Sequence, residues 1–192
     1  MTSSATAGVD RSSLAGDYTL DPSHTSFGFV ARHAMVTKVR GSFQEFEGTI
    51  HVDAADPTKS SAEVTIQAAS ITTGNEQRDG HLKSNDFFDM ETYPTITFRS
   101  TSIEAADEQN YKVTGDLTIK GTTKPVTVDL EFTGAATDPF GNLRIGFEGS
   151  TTVNRKDWGV NWNAPLEAGG VLVSEKVTLT IDISAIKNTA AA

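Results

Sequence analysis

The side chains that could do chemistry in this chain fall in two stretches. One, Ile71 to Phe98, reads ITTGNEQRDGHLKSNDFFDMETYPTITF and holds Asn75, Arg78, Asp79 and His81 ahead of the paired Phe87 and Phe88. The other, NRKDWGVNWNAPLEAGG, holds Asn154, Arg155, Asp157, Trp158, Asn161 and Trp162, and so both tryptophans of the chain. Hydrogen-bonding groups set beside large aromatic faces suit a polar rim over an apolar cavity, where an amphiphile's tail enters and its head meets donors and acceptors. The plainer alternative is that Arg78, Asp79, Arg155 and Asp157 form ordinary ion pairs that pin the two loops, while Phe87 and Phe88 plug the core.

Reaction chemistry has less support. The four histidines, His24, His33, His51 and His81, are isolated, with neither an HExxH pair nor an HxH pair on one strand face. Metal ligation is therefore weakly indicated, and a hydrogen-bonded or exposed histidine is the simpler reading of each. No GxSxG elbow marks a serine hydrolase, and GTTK lacks the order of a phosphate-wrapping loop. Carboxylates are plentiful, but no spacing singles out a catalytic pair. With no cysteine, disulfides, thiolate metal sites and cysteine nucleophiles are excluded.

The elements that must position these loops are strands. Phe27, Phe29 and Ala31 alternate with Gly28, Val30 and Arg32, and His33 falls on the Phe27 face. Apolar parity shifts from odd to even between Phe43 and Phe46, which calls for a β-bulge near Gln44-Glu45. Val64, Ile66 and Ala68 make another strand, and Ile96 and Phe98 a further one. YKVTGDLTIKGTTKPVTVDLEF reads as a hairpin, with Gly115 marking a bend or a close backbone approach. Leu143, Ile145 and Phe147 open a strand reaching Val153, and Val177, Leu179, Ile181 and Ile183 form the last. About eight or nine strands with short turns point to an antiparallel barrel or sandwich, and the two long loops favour a barrel with a guarded mouth. Helix should be confined to Thr73–Asp89, where Thr73 and Glu76 have capping-box spacing.

At 192 residues, one domain with a sizeable core is expected, between a loose tail over residues 1–16 and a short one over 188–192. Hydrophobic residues are 37% and charged residues 21%, a globular balance, and no apolar run approaches the ~20 residues that span a bilayer. The formal charge of −9, without a Lys/Arg run, argues against capture of nucleic acid or an anionic membrane surface. The opening residues show no basic start followed by an apolar segment, so a soluble cytoplasmic protein is the expectation; a periplasmic or secreted site would require a removed signal.

From Tyr18 to Ile186 the chain resembles the YceI-like family, polyisoprenoid-binding relatives of the lipocalin architecture. The matching motifs are YTLDPSHTSFGFVARH, KVRGSFQEFEGTI, ITTGNEQRDGHLKSNDFFD, YPTITF, VTGDLTIKGTTKPV and NRKDWGVNW followed by LEAGGVLVSEKVTLTID. The resemblance implies an all-β fold, an extended eight-stranded antiparallel lipocalin-like β-barrel with a short helical insertion between strands, over residues 17–187. It places Phe27, Phe29, Ala31 and His33 on the inward face of the first long strand, with Phe43 and Phe46 on the next. Ligand contacts are implied for Phe27, Phe29, His33, Phe43, Phe46, Asn75, Arg78, His81, Leu82, Phe87, Phe88, Trp158 and Trp162. Gly80 and Asn85 stand where alanine is common in the family, and Trp158 where phenylalanine is common, which would shorten the pocket.

The function implied is carriage or sequestration of a long hydrophobic amphiphile, an isoprenoid or similar lipid, with no required cofactor, no metal, no nucleic acid and no stable membrane insertion. Dimerisation is common among relatives, and the sequence carries no signal for or against a homodimer. Two alternatives stay open on the residues: an enzyme acting on a bound prenyl lipid through His33 or His81, and a fully packed structural or partner-binding barrel without a ligand.

Overall fold

Twelve residues of strongly alternating pattern, Lys176–Lys187, form the strand on which the sheet closes. The computed structural model describes residues 11–167 and 169–189. In chain order the elements are β1 Gly16–Leu20, β2 Ser26–His33, β3 Thr37–Phe43, β4 Phe46–Val52, β5 Ser61–Gln67 and β6 Ile71–Thr72. Then come α1 Glu76–Lys83, β7 Thr95–Ala105, β8 Asn110–Ile119, β9 Thr122–Thr137, β10 Leu143–Asn154 and β11 Lys176–Lys187. All pairings are antiparallel. The order β1-β4-β5-β7-β8-β9-β10-β11, with β11 pairing back onto β1, is a closed eight-stranded barrel.

One free edge of β11 serves two strands in series. Its C-terminal half pairs with β1, Leu20 opposite Ala185, and its N-terminal half pairs with β2, Val30 opposite Thr178. The chain turns between them over Asp21–Thr25, so β2, β3 and β6 extend the wall beyond the ring. The parity break falls where expected, but as a break between two strands with different partners rather than a β-bulge: β3 ends at Phe43 and β4 begins at Phe46. Glu45 O accepts from Gln67 N and Ser70 O from Gln44 N, which fixes the kink. Gly115 is the expected close approach, since a Cβ there would stand 2.6 Å from Arg99 O, opposite the register shift between Ser100 and Ser102. The β8–β9 hairpin turns on Lys120-Gly121, both at positive φ, as a two-residue hairpin turn demands.

The barrel has two unlike ends. At the far end, Leu14 from a 3₁₀ turn over Arg11–Leu14 packs with Tyr18, Leu20, Ile145 and Ala185, and the Tyr18 hydroxyl donates to Leu14 O at 2.8 Å. The expected N-terminal tail, residues 1–16, lies outside the described residues as far as residue 10, and from Arg11 it is part of this closure. The C-terminal tail is anchored at Asn188, whose N–H donates to Asp17 O; residues 190–192 lie outside the described residues. Nearby, Arg144 donates to Asp21 at 2.6 Å and to Asp138 at 2.7 Å, and this guanidinium holds each carboxyl at about 2. At the cap end, Ala68, Ile96, Leu117, Val126, Val128 and Trp158 form the second buried cluster.

Helix α1 begins differently from the capping-box reading. Asn75 is the N-cap, its Oδ1 accepting from Arg78 N at 2.9 Å. Thr73 instead uses its N–H and hydroxyl on Asp79 Oδ1, at 2.9 and 2.6 Å. An Asn one position before the helix competes well for this role, because its short side chain reaches the third amide without distorting the turn.

Candidate functional site

Inward residues on consecutive strands normally interlock and become buried. Here many, including Phe29, Phe98, Leu130, Phe147 and Leu179, are only half-buried because they face open space. That space is a cavity of about 390 Å³ running along the barrel between the two buried clusters, with walls from every ring strand except β1. Its polar lining is sparse, chiefly Arg155 and Thr180 towards the cap end and Arg11, Asp53 and Ser60 towards the far end. Such a void speaks against a fully packed barrel. Its size lies in the ~300–1,000 Å³ range of ligand pockets, and dry apolar walls would lose hydration favourably on taking up a hydrocarbon.

Seven of the thirteen expected contact residues line the cavity: Phe27, Phe29, Phe43, Leu82, Phe87, Phe88 and Trp158. An aromatic path joins the cap to the wall, with Phe88 edge-on to Phe43 at 6.1 Å between centroids and Phe43 at 5.9 Å from Phe29. Trp158 reaches inward from a 3₁₀ turn over Arg155–Trp158, ended by Gly159 in the left-handed region, and its Nε1 donates to Leu117 O at 2.8 Å. The indole is thus fixed at the cap end of the void, where the family resemblance expects bulk to shorten the pocket.

The other six sit around the cavity and are absent from its lining. Phe46 packs edge-on against Phe27 at 4.8 Å in the far-end cluster, a face set by the kink at Gln44-Glu45. His33 is exposed at the last position of β2, paired with Thr37 and bridged to Val173, so the inward face ends at Ala31. Asn75 caps α1. Arg78 donates Nε to Thr73 Oγ1 at 2.7 Å and Nη2 to Thr73 O at 2.9 Å, so Arg78 and Asp79 pin the loop by converging on one threonine. His81 meets Asp86 at 2.8 Å and stacks edge-on to Phe87 and Trp162, at 5.0 and 4.6 Å. Trp162 closes that three-ring group from the second loop. Neither histidine weighed as a proton-transfer group reaches the void.

Arg155, read from the sequence as a rim or ion-pair residue, lines the cavity from a buried position. Only 7% exposed, it donates Nε to Ser174 O at 2.9 Å, Nη1 to Val160 O at 2.6 Å and Nη2 to Val173 O at 3.3 Å. It therefore staples the second loop from within, and burial pushes its pKa down, with Glu175 opposing. Its loop position carries no signal of burial. The walls from β8 to β11 are legible as strand faces, and alternation alone would assign Val113, Leu117, Val128 and Phe147 to the interior. Among the described residues, no group of three or more His, Cys, Asp or Glu is placed to hold a metal ion, and no helix is long and apolar enough to cross a membrane.

Known proteins place this architecture. A UPF0312 protein of Staphylococcus aureus (strain MSSA476) is 41% identical over 162 residues, spanning 84% of this chain and 92% of the relative. BcnA of Burkholderia cenocepacia superposes with a TM-score of 0.76 at 27% identity, over 86% of this chain and 98% of that one. The Campylobacter jejuni YCEI protein gives 0.71 at 31% identity, over 82% and 90%. A Saccharophagus degradans domain described as polyisoprenoid binding shares the fold at a TM-score of 0.69 and 15% identity, over 89% and 98%. The model of the YceI-like domain matches residues 18–185, nearly the whole of the closed barrel, and the chain belongs to that family.

Proposed function

We propose that this protein holds the chain of a long amphiphile, an isoprenoid such as a polyprenyl or quinone tail, inside the barrel, and carries or sequesters it without altering it. The carrying observation is the apolar void of about 390 Å³ left open along the barrel interior. A natural core of this size is otherwise packed to crystal-like density, and unfilled volume costs stability that only an occupant returns. The polyisoprenoid-binding description of a protein sharing the fold supports the ligand class by architecture alone.

The energetics suffice without any catalytic group. Burying a ten-carbon tail at ~0.8 kcal/mol per methylene contributes roughly 8 kcal/mol before association costs, enough for micromolar binding once the cavity is preformed. Chain-length preference follows from where the walls end, and Trp158 sets that limit at the cap end. Head-group preference follows from the few polar groups at the two ends.

The test is native mass spectrometry of protein purified from its own source, followed by denaturing extraction, with labelled prenyl compounds of graded length added to the apo protein. A co-purifying or retained isoprenoid is the expected result. Failure of every prenyl compound to bind, with no lipid on extraction, would overturn the proposal.

A further inference from the structure

The β2–β3 hairpin leaves the barrel wall at the cap end and ends in the most exposed apolar residues on that side. Met35 is 63% and Val36 74% exposed, and Ala34 and Met35 take positive φ to form the tip. The second loop rises beside it: Ala34 N donates to Leu172 O at 2.7 Å, Met35 Sδ lies against Gly170, and Val171 is 36% exposed. Three of the four large hydrophobics exposed among the described residues thus gather in one place, and the fourth, Phe140, is at the other end of the barrel.

Charge is segregated at the same place. From Ser26 to Phe43 the hairpin carries Arg32, Lys38 and Arg40 and no Asp or Glu, in a chain whose net charge is −9. All three cations are exposed, and among the described residues none is in an ion pair. The α1 side of the same end is net acidic, with Glu76, Asp79, Asp86, Asp89 and Glu91 against Arg78 and Lys83, and Glu167 is the one acidic residue in the stretch of the second loop beside the tip. The outer edge of β3 over Thr37–Gly41 has no strand partner among the described residues, so that edge of the hairpin stays open beside the second loop. Four residues before Met35, near the end of β2, Ala31 already lines the cavity, as does Val173 beside His33.

We infer that this tip is a docking surface for an anionic lipid bilayer: Met35, Val36 and Val171 enter the interface, Arg32, Lys38 and Arg40 meet the acidic head groups, and the acidic α1 side faces away. This rests on the reading of the cavity as a lipid site, since docking brings the barrel to the membrane that supplies the chain. Whole-chain charge opposes such contact, but screening confines each charge to a Debye length of ~10 Å, so the local cations decide. Each juxtamembrane Lys or Arg strengthens binding about fivefold, and short apolar wedges add to that without spanning the bilayer.

Flotation of the full chain with vesicles of phosphatidylcholine and phosphatidylglycerol tests the surface, with pure phosphatidylcholine vesicles as reference. Preferential binding to the anionic vesicles that weakens with added salt is expected. The double substitution Lys38→Glu with Arg40→Glu should reduce that binding at least 25-fold, Met35→Ser with Val36→Ser about tenfold, and Phe140→Ser not at all. Equal flotation with both vesicle types, no change in either hairpin variant, or a wild-type dimer that the hairpin variants convert to monomer would overturn the inference. Uptake of a fluorescent prenyl probe in vesicle-free solution reads the cavity separately. Hairpin variants that keep probe uptake and lose flotation support the surface. Wild-type protein that floats but takes up no probe overturns the cavity reading and leaves docking standing.

Discussion

Replacing Trp158 with alanine removes the indole that walls the cap end of the cavity and frees Leu117 O of its only side-chain donor among the described residues. A buried indole covers about 150–250 Å². At ~25 cal/mol per Å² and ~0.8 kcal/mol per methylene, that wall equals the surface of about five to eight methylenes, or roughly one added isoprene unit. The variant should therefore shift its preferred prenyl chain upward by about one unit, with the longer homologue gaining on the shorter by up to about fourfold per methylene newly buried. Without ligand, the larger void should cost about 3–5 kcal/mol. For a chain of this size that lowers the melting temperature by roughly 6–20 °C. A thermal-shift series with prenyl alcohols of graded length reads both effects, because a ligand that fills the new space should restore melting most. Equal loss of affinity at every length in a folded Trp158→Ala or Trp158→Leu protein would refute the idea that this ring ends the tail's path.

Other perturbations probe the frame. Asp21 and Asp138 are held at about 2 by Arg144, below the usual carboxylate range. The folded state then binds fewer protons than the unfolded state, so their contribution is complete above pH ~4 and is lost as pH falls towards 2. Melting temperature should drop across that window, and Arg144→Met should flatten the drop while lowering stability at neutral pH. Tyr18→Phe removes the bond to Leu14 O at a fully buried site, and should cost about 1 kcal/mol and roughly 2–4 °C of melting temperature. Arg155→Met strips donors from the carbonyls of Val160, Val173 and Ser174, so amide exchange over residues 156–175 should quicken while the β8–β9 hairpin stays protected.

Much of the barrel wall is legible in the residue pattern. The period-2 runs of β2, β8, β9 and β11 and the parity break at Gln44-Glu45 each constrain the backbone locally, because one apolar face must turn inward along every strand. The loops resist the same treatment. Thr73 with Glu76 has capping-box spacing, yet Asn75 takes the cap, since which of two nearby polar residues meets the helix amides depends on where the Arg78 and Asp79 side chains converge. His33 continues the Phe27 face in sequence and lies outside the barrel in space, because the strand runs past the end of the ring.

Alternation and turn residues, which act between residues close in sequence, limited this chain to an antiparallel barrel or sandwich with two polar loops, and the family resemblance carried by the motifs implied the barrel. Tertiary structure alone decided that the interior is a void, that Arg155 is a buried staple rather than a rim charge, and that an apolar and cationic tip sits at one end. The tip arises where β11 and the second loop meet the β2–β3 hairpin, and proximity between segments more than a hundred residues apart leaves no local pattern to read. Arg155 is buried by its own irregular loop closing back on it, which has no periodicity to read either.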